Sequence, residues 1–367
     1  IWVNLVSKKI YVQGGAGAVP DGERYGDNYE LPNATAYNET CAAIANVYWN
    51  QRMFQLHGES KYIDLLEKIL YNGLISGVAM DGKTFFYTNA LQVTDHFSHK
   101  SLERERAGWF ECSCCPTNVA RLIPSIPGYV YAQKGNNVFV NLFINSNTLI
   151  KVGGKDVEIN QKNNYPWDGD LTFNVDPVKG KLPFTLKVRI PGWAQGVAIG
   201  SDLYSFVNTT ATAIPILVNG QPIEYKIENG YAVIDRTWSK KDIVEVKLPM
   251  EVNRVKSNEK LVEDKGKVAL QRGPLMYCAE WADNNGKTSN IILPSNATFT
   301  ASFQPELLNG VMVLKSQAKA VVLNGDDVKT QTQPFIAIPY YSWAHRGKGE
   351  MQVWFPEKVN AIDLITQ

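Results

Sequence analysis

The stretch CPTNVARLIPSIPGYVYAQKGNNVFVNLFINSNTLI, residues 115–150, contains the change of hydrophobic period that decides the fold. Its first half opens on Pro116 and continues with apolar residues at helical spacing, which predicts the start of a helix. Near residue 134 apolar and polar residues begin to alternate, which is the pattern of a half-buried β-strand. The sequence therefore predicts a helical part before this point and a β-rich part after it.

Two more helices are predicted upstream of this stretch. NETCAAIANVYWNQRMFQLHG, residues 38–58, has Asn38 at the N-cap position and Gly58 where the helix should end. ESKYIDLLEKILYNGLISG, residues 59–77, places apolar side chains on one helical face, namely Tyr62, Leu65, Leu66, Ile69 and Leu70. Antiparallel helices joined by loops favour a helical array or an α/α barrel.

The sequence downstream is divided into short β-branched segments bounded by Gly, Pro and Asn. They include LTFNVDP, FTLKVRIPGWA, YAVIDRTW, DIVEVKLPM and VALQRGPLMYCAE. Strands of this length and spacing are typical of antiparallel sandwiches. The pattern pauses around EVNRVKSNEKLVEDKGK, so we predict a helical portion at 1–133, a β-sandwich at 134–255, and a second β-sandwich or return segment at 256–367.

Composition excludes several classes of partner. The chain has 367 residues and a formal net charge of +1, which gives no basis for binding nucleic acid or a membrane surface. No run of about 18 apolar residues is present, so no membrane span is predicted. The first residues carry neither an initiator Met nor a signal-peptide pattern, so we expect residue 1 not to be the native start. These features do not fix the compartment, and we favour the bacterial periplasm or secretion over the cytoplasm.

Three of the five cysteines fall within four positions, at Cys112, Cys114 and Cys115. Adjacent cysteines pair only through a strained ring, so a disulfide would have to join Cys41 to a member of this cluster. The alternative is a metal site, since Cys41 and the Cys114–Cys115 pair each lie at a predicted helix N-terminus, where thiolates are favoured.

The metal interpretation draws on two converging helix starts. They would bring together Glu39, Cys41, Cys114 and Cys115, a set of donors that suits zinc. Both the metal site and the disulfide stay open at this point. Cys278 lies on a predicted strand, and we interpret it as a small core residue. His96 and His99 resemble a metal pair, but we interpret them as solvated loop histidines.

Several motifs together resemble the glycoside hydrolase family 127 and 146 group, the β-L-arabinofuranosidases. They are GERYGDNYELPN, NETCA, FECSCCPTN, QRGPLMYCAE and YYSWAHRGKGEMQVW, in the order of the family. The resemblance implies an (α/α)6 barrel followed by β-sandwich domains. It also implies that residues 1–133 are the C-terminal part of the catalytic barrel, with an N-terminal barrel segment of the same protein missing here.

The resemblance further implies a retaining exo-glycosidase that acts on an arabinose-containing glycan through a zinc-bound cysteine. Zinc would be held by Glu39, Cys41, Cys114 and Cys115, with Cys114 also the nucleophile and Glu23 the general acid/base. Candidate sugar contacts are Tyr87, Asn89 and Trp109, for each of which core packing is the alternative.

Other functions stay open from the sequence. A non-catalytic glycan-binding protein with a structural zinc site is the main alternative, because structural zinc sites are closed by four protein ligands. A thiol redox protein is disfavoured, since the chain has no thioredoxin-like βαβ pattern around its cysteines. Cys112 would be either a spectator or a resolving thiol beside the site.

Overall fold

A computed structural model describes residues 1–94, 104–207, 213–324 and 327–362. His96 and His99 lie outside these ranges. The α-helices of the described residues are α1 Trp2–Lys8, α2 Thr40–His57, α3 Ser60–Lys68, α4 Cys114–Leu122 and α5 Pro127–Val130. A π-helical turn Ile69–Leu74 and a 3₁₀ turn Ile75–Gly77 continue α3. Further 3₁₀ turns are Ile123–Ser125, Gly192–Gln195, Val262–Asp264, Trp281–Asp283, Tyr340–Ser342 and Val359–Ala361. No helix among the described residues is long and apolar enough to cross a bilayer.

The helix over 38–58 forms as predicted, apart from its first residues. Gly58 ends it in the left-handed region at φ 68°, a conformation that glycine adopts without strain. The predicted N-cap is wrong, because the helix begins at Thr40 and the N-cap residue is Glu39. Asn38 has φ 43°, outside the extended region that an N-cap residue adopts, and its side-chain amide donates to the main-chain oxygen of Asn89 at 2.8 Å. A tertiary contact has thus displaced the local capping preference by one residue.

The strands of the described residues form three sheets. Their bounds are β1 Gln92–Val93, β2 Tyr131–Lys134, β3 Asn137–Val140, β4 Ser146–Val152, β5 Lys155–Asn163, β6 Asp170–Pro177, β7 Leu182–Arg189, β8 Tyr204–Phe206, β9 Ile216–Val218, β10 Gln221–Pro222, β11 Lys226–Glu228, β12 Tyr231–Trp238, β13 Asp242–Lys247, β14 Val252–Ser257, β15 Lys267–Arg272, β16 Leu275–Glu280, β17 Ile291–Ile292, β18 Thr300–Gln304, β19 Val311–Asn324, β20 Asp327–Pro339, β21 Met351–Gln352 and β22 Phe355–Pro356.

Two of the sheets form a sandwich in the middle of the chain. One has the order β10-β9-β13-β6-β5-β4 and the other β11-β12-β7-β3-β2. All pairs are antiparallel except β3 with β7. Alternate residues of both sheets share one core, for example Phe173 and Val244 from the first sheet with Leu186 from the second. The alternation of apolar and polar residues in the sequence predicted such a shared core between two sheets.

The third sheet lies between two hydrophobic cores, one of which it shares with the helical part. Its main path is β17-β19-β20-β16-β15-β14-β8, with β1, β18, β21 and β22 paired beside it. Strands β15 and β16 are buried along their whole length. Met276 and Cys278 pack on the side of the helical part, whereas Leu275 and Tyr277 pack on the other side. Cys278 is thus a buried core residue, as predicted.

The structure supports the coarse fold class but not every detail of it. A helical part precedes antiparallel β modules, and the middle module is a sandwich. The predicted portion of an (α/α)6 barrel at 1–133 is not evident in the described residues, because only α2 among their α-helices exceeds ten residues. The domain boundaries at residues 133 and 255 stay predictions.

A buried arginine joins the helical part to the sandwich. Arg189, at the end of β7, donates to Asp64 Oδ1 at 2.6 Å, to Glu67 Oε1, and to the Asn141 main-chain oxygen at 2.6 Å. The Arg189 side chain is fully buried, and that of Glu67 is 1% exposed. Removal of the cation would leave the buried Glu67 carboxylate and the partly buried Asp64 carboxylate without this partner.

We expect Arg189→Met to lower the free energy of unfolding by about 3–5 kcal/mol, the usual effect of breaking a buried ion pair on one side. Urea denaturation of the full chain measures this effect. Lys187→Met is the matched control, because Lys187 lies on the same strand and pairs with the exposed Glu228 at 3.2 Å. The Lys187→Met variant should lower the free energy of unfolding by no more than about 1 kcal/mol. An equal decrease in the two variants would contradict the role given to Arg189.

Candidate metal centre and active site

The N-termini of α2 and α4 meet and bring four potential metal ligands together. Glu39 is the N-cap residue of α2 and Cys41 lies in its first turn, while Cys114 and Cys115 are the first residues of α4. One ligand atom from each of these four residues lies within 4.8 Å of the other three. All five cysteines of the chain are free thiols, so the Cys41 disulfide alternative is not realised in this structure.

The spacing of the ligand atoms fits a tetrahedral metal. Cys41 Sγ and Cys115 Sγ are 3.5 Å apart, and Cys114 Sγ and Cys115 Sγ are 3.8 Å apart. Glu39 Oε1 lies 3.5 Å from Cys114 Sγ and 3.8 Å from Cys115 Sγ. A tetrahedron with zinc–sulfur bonds of about 2.3 Å has sulfur–sulfur edges of about 3.8 Å. The residues present therefore fit zinc, by donor type and by spacing.

The protonation of the four groups also favours a cation. Burial raises the pKa of Glu39 to about 7 and that of Cys114 to about 12. The hydrogen bond to Cys41 and burial raise the pKa of Cys115, whereas that same hydrogen bond lowers the pKa of Cys41 to about 6. So many acidic groups cannot all ionise together without a counter-charge. A divalent cation would displace the protons that the group otherwise retains.

Hydrogen bonds around the cluster hold its two helix starts in place. Asn118, one turn into α4, donates its side-chain amide to Cys41 Sγ at 3.1 Å. Thr40 donates its main-chain N–H to the Tyr87 carbonyl at 3.0 Å and its hydroxyl to the Phe86 carbonyl at 2.8 Å. The start of α2 is therefore fixed both to α4 and to the loop that carries Tyr87.

Asn89 lies beneath this loop with its side chain fully buried. Its amide donates to the Asn38 carbonyl at 3.1 Å and to Thr40 Oγ1 at 2.9 Å, and its oxygen accepts from Ser76 Oγ at 2.7 Å. These contacts support a positioning role, since the amide has no exposed face for a sugar. Its assignment as a sugar contact stays a prediction.

Tyr87 connects the cysteine cluster to Glu23. Its hydroxyl lies 3.3 Å from Cys114 Sγ and donates to Glu23 Oε1 at 3.2 Å. Phe110 packs edge-to-face against the Tyr87 ring, with 5.6 Å between the centroids. The residue predicted as nucleophile and the one predicted as acid/base are thus neighbours, although 91 positions separate them in the sequence.

Glu23 occupies the tip of a tight hairpin. Val19 and Arg24 pair through two main-chain hydrogen bonds, and Glu23 N donates to the Pro20 carbonyl at 3.2 Å. The φ of Glu23 is 52°, a left-handed conformation that costs a non-glycine residue roughly 1–2 kcal/mol. Positive φ values are common in tight hairpin turns, and the neighbouring Gly22 also has one, at 68°. The turn conformation therefore determines where the Glu23 carboxylate stands.

The predicted site residues differ in exposure. Cys115 is buried, Cys114 and Tyr87 are half-buried, and Glu23 is exposed. Trp109 is 68% exposed, which is unusual for a tryptophan and leaves its ring free to contact a ligand. Cys112 is also exposed. Among the four clustered residues, Cys41 and Cys114 are half-buried, whereas Glu39 and Cys115 are buried.

Sequence analysis missed Asn118, which donates to Cys41 Sγ, and it also missed Tyr37. Its hydroxyl donates to Glu23 Oε1 at 3.0 Å, and its ring packs at a tilt against that of Tyr87. The available signal was its position two residues before Glu39, in a segment already assigned to the site. A tyrosine outside any periodic pattern gives no further indication of its role.

Comparison with family models divides most of the chain into three consecutive matches. Residues 1–128 match a model described as the β-L-arabinofuranosidase GH127 catalytic domain. Residues 137–250 match the GH127 middle domain, and residues 252–356 match the glycoside hydrolase family 127 C-terminal domain.

Individual relatives agree with these matches. The non-reducing end β-L-arabinofuranosidase of Bifidobacterium longum subsp. longum is 34% identical over 374 residues, which cover 96% of this chain and 54% of that protein. A solved GH127 β-arabinofuranosidase has a TM-score of 0.94 and 46% identity, covering 99% of this chain and 56% of that one. A solved GH127 β-L-arabinofuranosidase from Geobacillus stearothermophilus T6 has a TM-score of 0.89 and 40% identity. The match covers 98% of this chain and 56% of that one.

Matches of this extent and order place the chain in the glycoside hydrolase class of proteins. Within that class, the chain belongs to glycoside hydrolase family 127. It spans a little more than half the length of the curated relative and of the two solved structures.

Proposed function

We propose that the protein is a retaining exo-glycosidase that releases β-L-arabinofuranose from an arabinose-containing glycan. Cys114 would be the nucleophile, Glu23 the general acid/base, and Glu39, Cys41, Cys114 and Cys115 the zinc ligands. One observation carries the proposal: the Tyr87 hydroxyl contacts both Cys114 Sγ and Glu23 Oε1. Retaining glycosidases hold their two groups about 5–5.5 Å apart, a separation that a single bridging hydroxyl allows.

The two groups would divide the reaction into two displacements. Cys114 Sγ attacks the anomeric carbon while Glu23 gives its proton to the departing glycosidic oxygen, so a carbon–sulfur bond replaces a carbon–oxygen bond. Glu23, now a carboxylate, takes a proton from water, whose oxygen attacks the same carbon and releases Cys114. Bound zinc would supply the positive charge that keeps sulfur a thiolate at neutral pH and a competent leaving group.

Exposure and hydrogen bonding support the choice of Cys114 among the three sulfurs. Cys115 is buried, whereas Cys41 and Cys114 are both half-buried. Cys41 Sγ accepts a hydrogen bond from Asn118, and Cys114 Sγ lies beside the Tyr87 hydroxyl that contacts Glu23. The exposed ring of Trp109 would offer an apolar face to a sugar. Tyr87 would contact the sugar beside Cys114.

A purely structural zinc site is the competing function, because four protein ligands can close the metal. Such a site needs no carboxylate at the strained tip of a neighbouring hairpin. It also needs no tyrosine between that carboxylate and one of the sulfurs. The arrangement of Glu23 therefore favours catalysis.

The direct test is hydrolysis of 4-nitrophenyl β-L-arabinofuranoside by the full-length protein, followed by NMR of the first sugar released. The proposal predicts hydrolysis of the β-anomer, no hydrolysis of the α-anomer, and an initial product that is the β-anomer. An initial α-product would contradict the retaining mechanism. Zinc-loaded protein that hydrolyses neither anomer would favour the structural zinc site.

A further inference from the structure

Tyr37 is placed to control the carboxylate of Glu23. Its side chain is only 8% exposed, and its hydroxyl donates to Glu23 Oε1 at 3.0 Å. The ring is held against Tyr87, with 6.1 Å between the two centroids. Because Tyr37 precedes Glu39 by two residues, its main chain is continuous with the segment that enters the metal cluster. This hydroxyl is therefore much less mobile than the exposed carboxylate that it contacts.

Tyr87 does not make the Tyr37 contact redundant. A tyrosine hydroxyl has one proton to donate. The Tyr87 hydroxyl lies between two groups, because it donates to Glu23 Oε1 at 3.2 Å and accepts from Cys114 Sγ at 3.3 Å. Its position is thus tied to the cysteine cluster as well as to the carboxylate, whereas Tyr37 contacts Glu23 Oε1 at the shorter distance of 3.0 Å.

Both tyrosines contact the same carboxylate oxygen, Oε1. We infer that Tyr37 is a positioning residue that holds Glu23 Oε1, so that Oε2 carries the proton given to the departing glycosidic oxygen. The inference rests on the proposed function, in which Glu23 is the acid/base. Without Tyr37 the exposed side chain would sample several rotamers, and fewer of them would aim a proton at the substrate.

The test is Tyr37→Phe in the full-length protein, with substrates whose leaving groups differ in basicity. For an alkyl β-L-arabinofuranoside, whose departure needs a proton, kcat/KM should fall about tenfold, the usual effect of losing one hydrogen bond to a charged group. For an activated nitrophenyl substrate, which departs without help, kcat/KM should change by less than about threefold. The zinc content of the variant should equal that of wild type.

Tyr11→Phe is the matched control. Tyr11 is 1% exposed and its hydroxyl donates to the Pro32 carbonyl at 3.2 Å, away from Glu23. Loss of this buried hydroxyl should not make the rate depend on the leaving group. An equal fall on both substrates for Tyr37→Phe, or no fall on either, would overturn the inference.

A double-mutant cycle separates this inference from the proposed function. If Tyr37 acts through Glu23, adding Tyr37→Phe to Glu23→Gln should cause no further loss on the alkyl substrate. Additive losses would overturn the positioning role while leaving Glu23 as the acid. Failure of the wild-type protein to hydrolyse either substrate would overturn both the proposed function and the inference.

Discussion

Replacement of Cys114 by serine is expected to lower kcat/KM for a β-L-arabinofuranoside by a factor on the order of 10³ or more, because the attacking atom is removed. A serine hydroxyl at this position is a poor nucleophile at neutral pH, since it does not ionise as a thiol does. Steady-state kinetics with an activated nitrophenyl substrate measures the loss, because departure of that leaving group needs no acid.

The neighbouring Cys112 provides a matched control. It lies two residues before Cys114, is exposed, and is not among the four clustered ligands. We expect Cys112→Ser to retain wild-type turnover. Near wild-type turnover of Cys114→Ser would remove Cys114 from the nucleophile role, while loss of activity in Cys112→Ser would show that this thiol does more than lie beside the site.

Replacement of Glu23 by glutamine is expected to produce the second large effect, and one that depends on the leaving group. For an alkyl arabinofuranoside kcat/KM should fall about 10²–10⁴-fold, the contribution of a positioned general acid. For an activated nitrophenyl substrate the first displacement needs no proton, so kcat/KM should change little. Azide should accelerate turnover of that substrate, because it attacks the sugar–cysteine intermediate without a general base.

Another acidic residue of the same hairpin, Asp21, tests the specificity of this effect. Asp21 lies on the exposed side of the turn, where it pairs with Arg24 at 3.3 Å. Asp21→Asn should therefore leave both substrates near wild-type rates. Equal losses on the two substrates for Glu23→Gln, or no loss at all, would remove Glu23 from the acid role.

Local sequence was sufficient to predict the elements that carry the metal ligands. Pro116 correctly indicated the start of α4, and Gly58 correctly indicated the end of α2. The strands of the middle sandwich follow from alternation, because half of each strand faces a shared core. These features depend on residues within a few positions of one another, so local sequence patterns are enough to predict them.

The exact start of α2 and the arrangement of the site residues depend on contacts between segments that are distant in the sequence. Asn38 is a good capping residue, yet it has φ 43° and its amide is bonded to the distant Asn89 carbonyl, and α2 begins one residue later than predicted. The link from Glu23 through Tyr87 to Cys114 joins three separate loops or helix starts. No spacing rule relates these residues, and the role of Tyr37 appears only when the hairpin is folded against them.

The proposed cysteine mechanism depends most directly on the metal, and the decisive measurement is the zinc bound per chain in protein purified under reducing conditions without added metal. The four clustered donors predict about one zinc per chain. Glu39→Ala should lower that content after competition with a chelator, whereas Glu59→Ala should not, since Glu59 is the corresponding N-cap residue of α3 and lies outside the cluster. A folded sample without zinc, or equal zinc content in the two variants, would contradict the proposed site and the cysteine mechanism built on it.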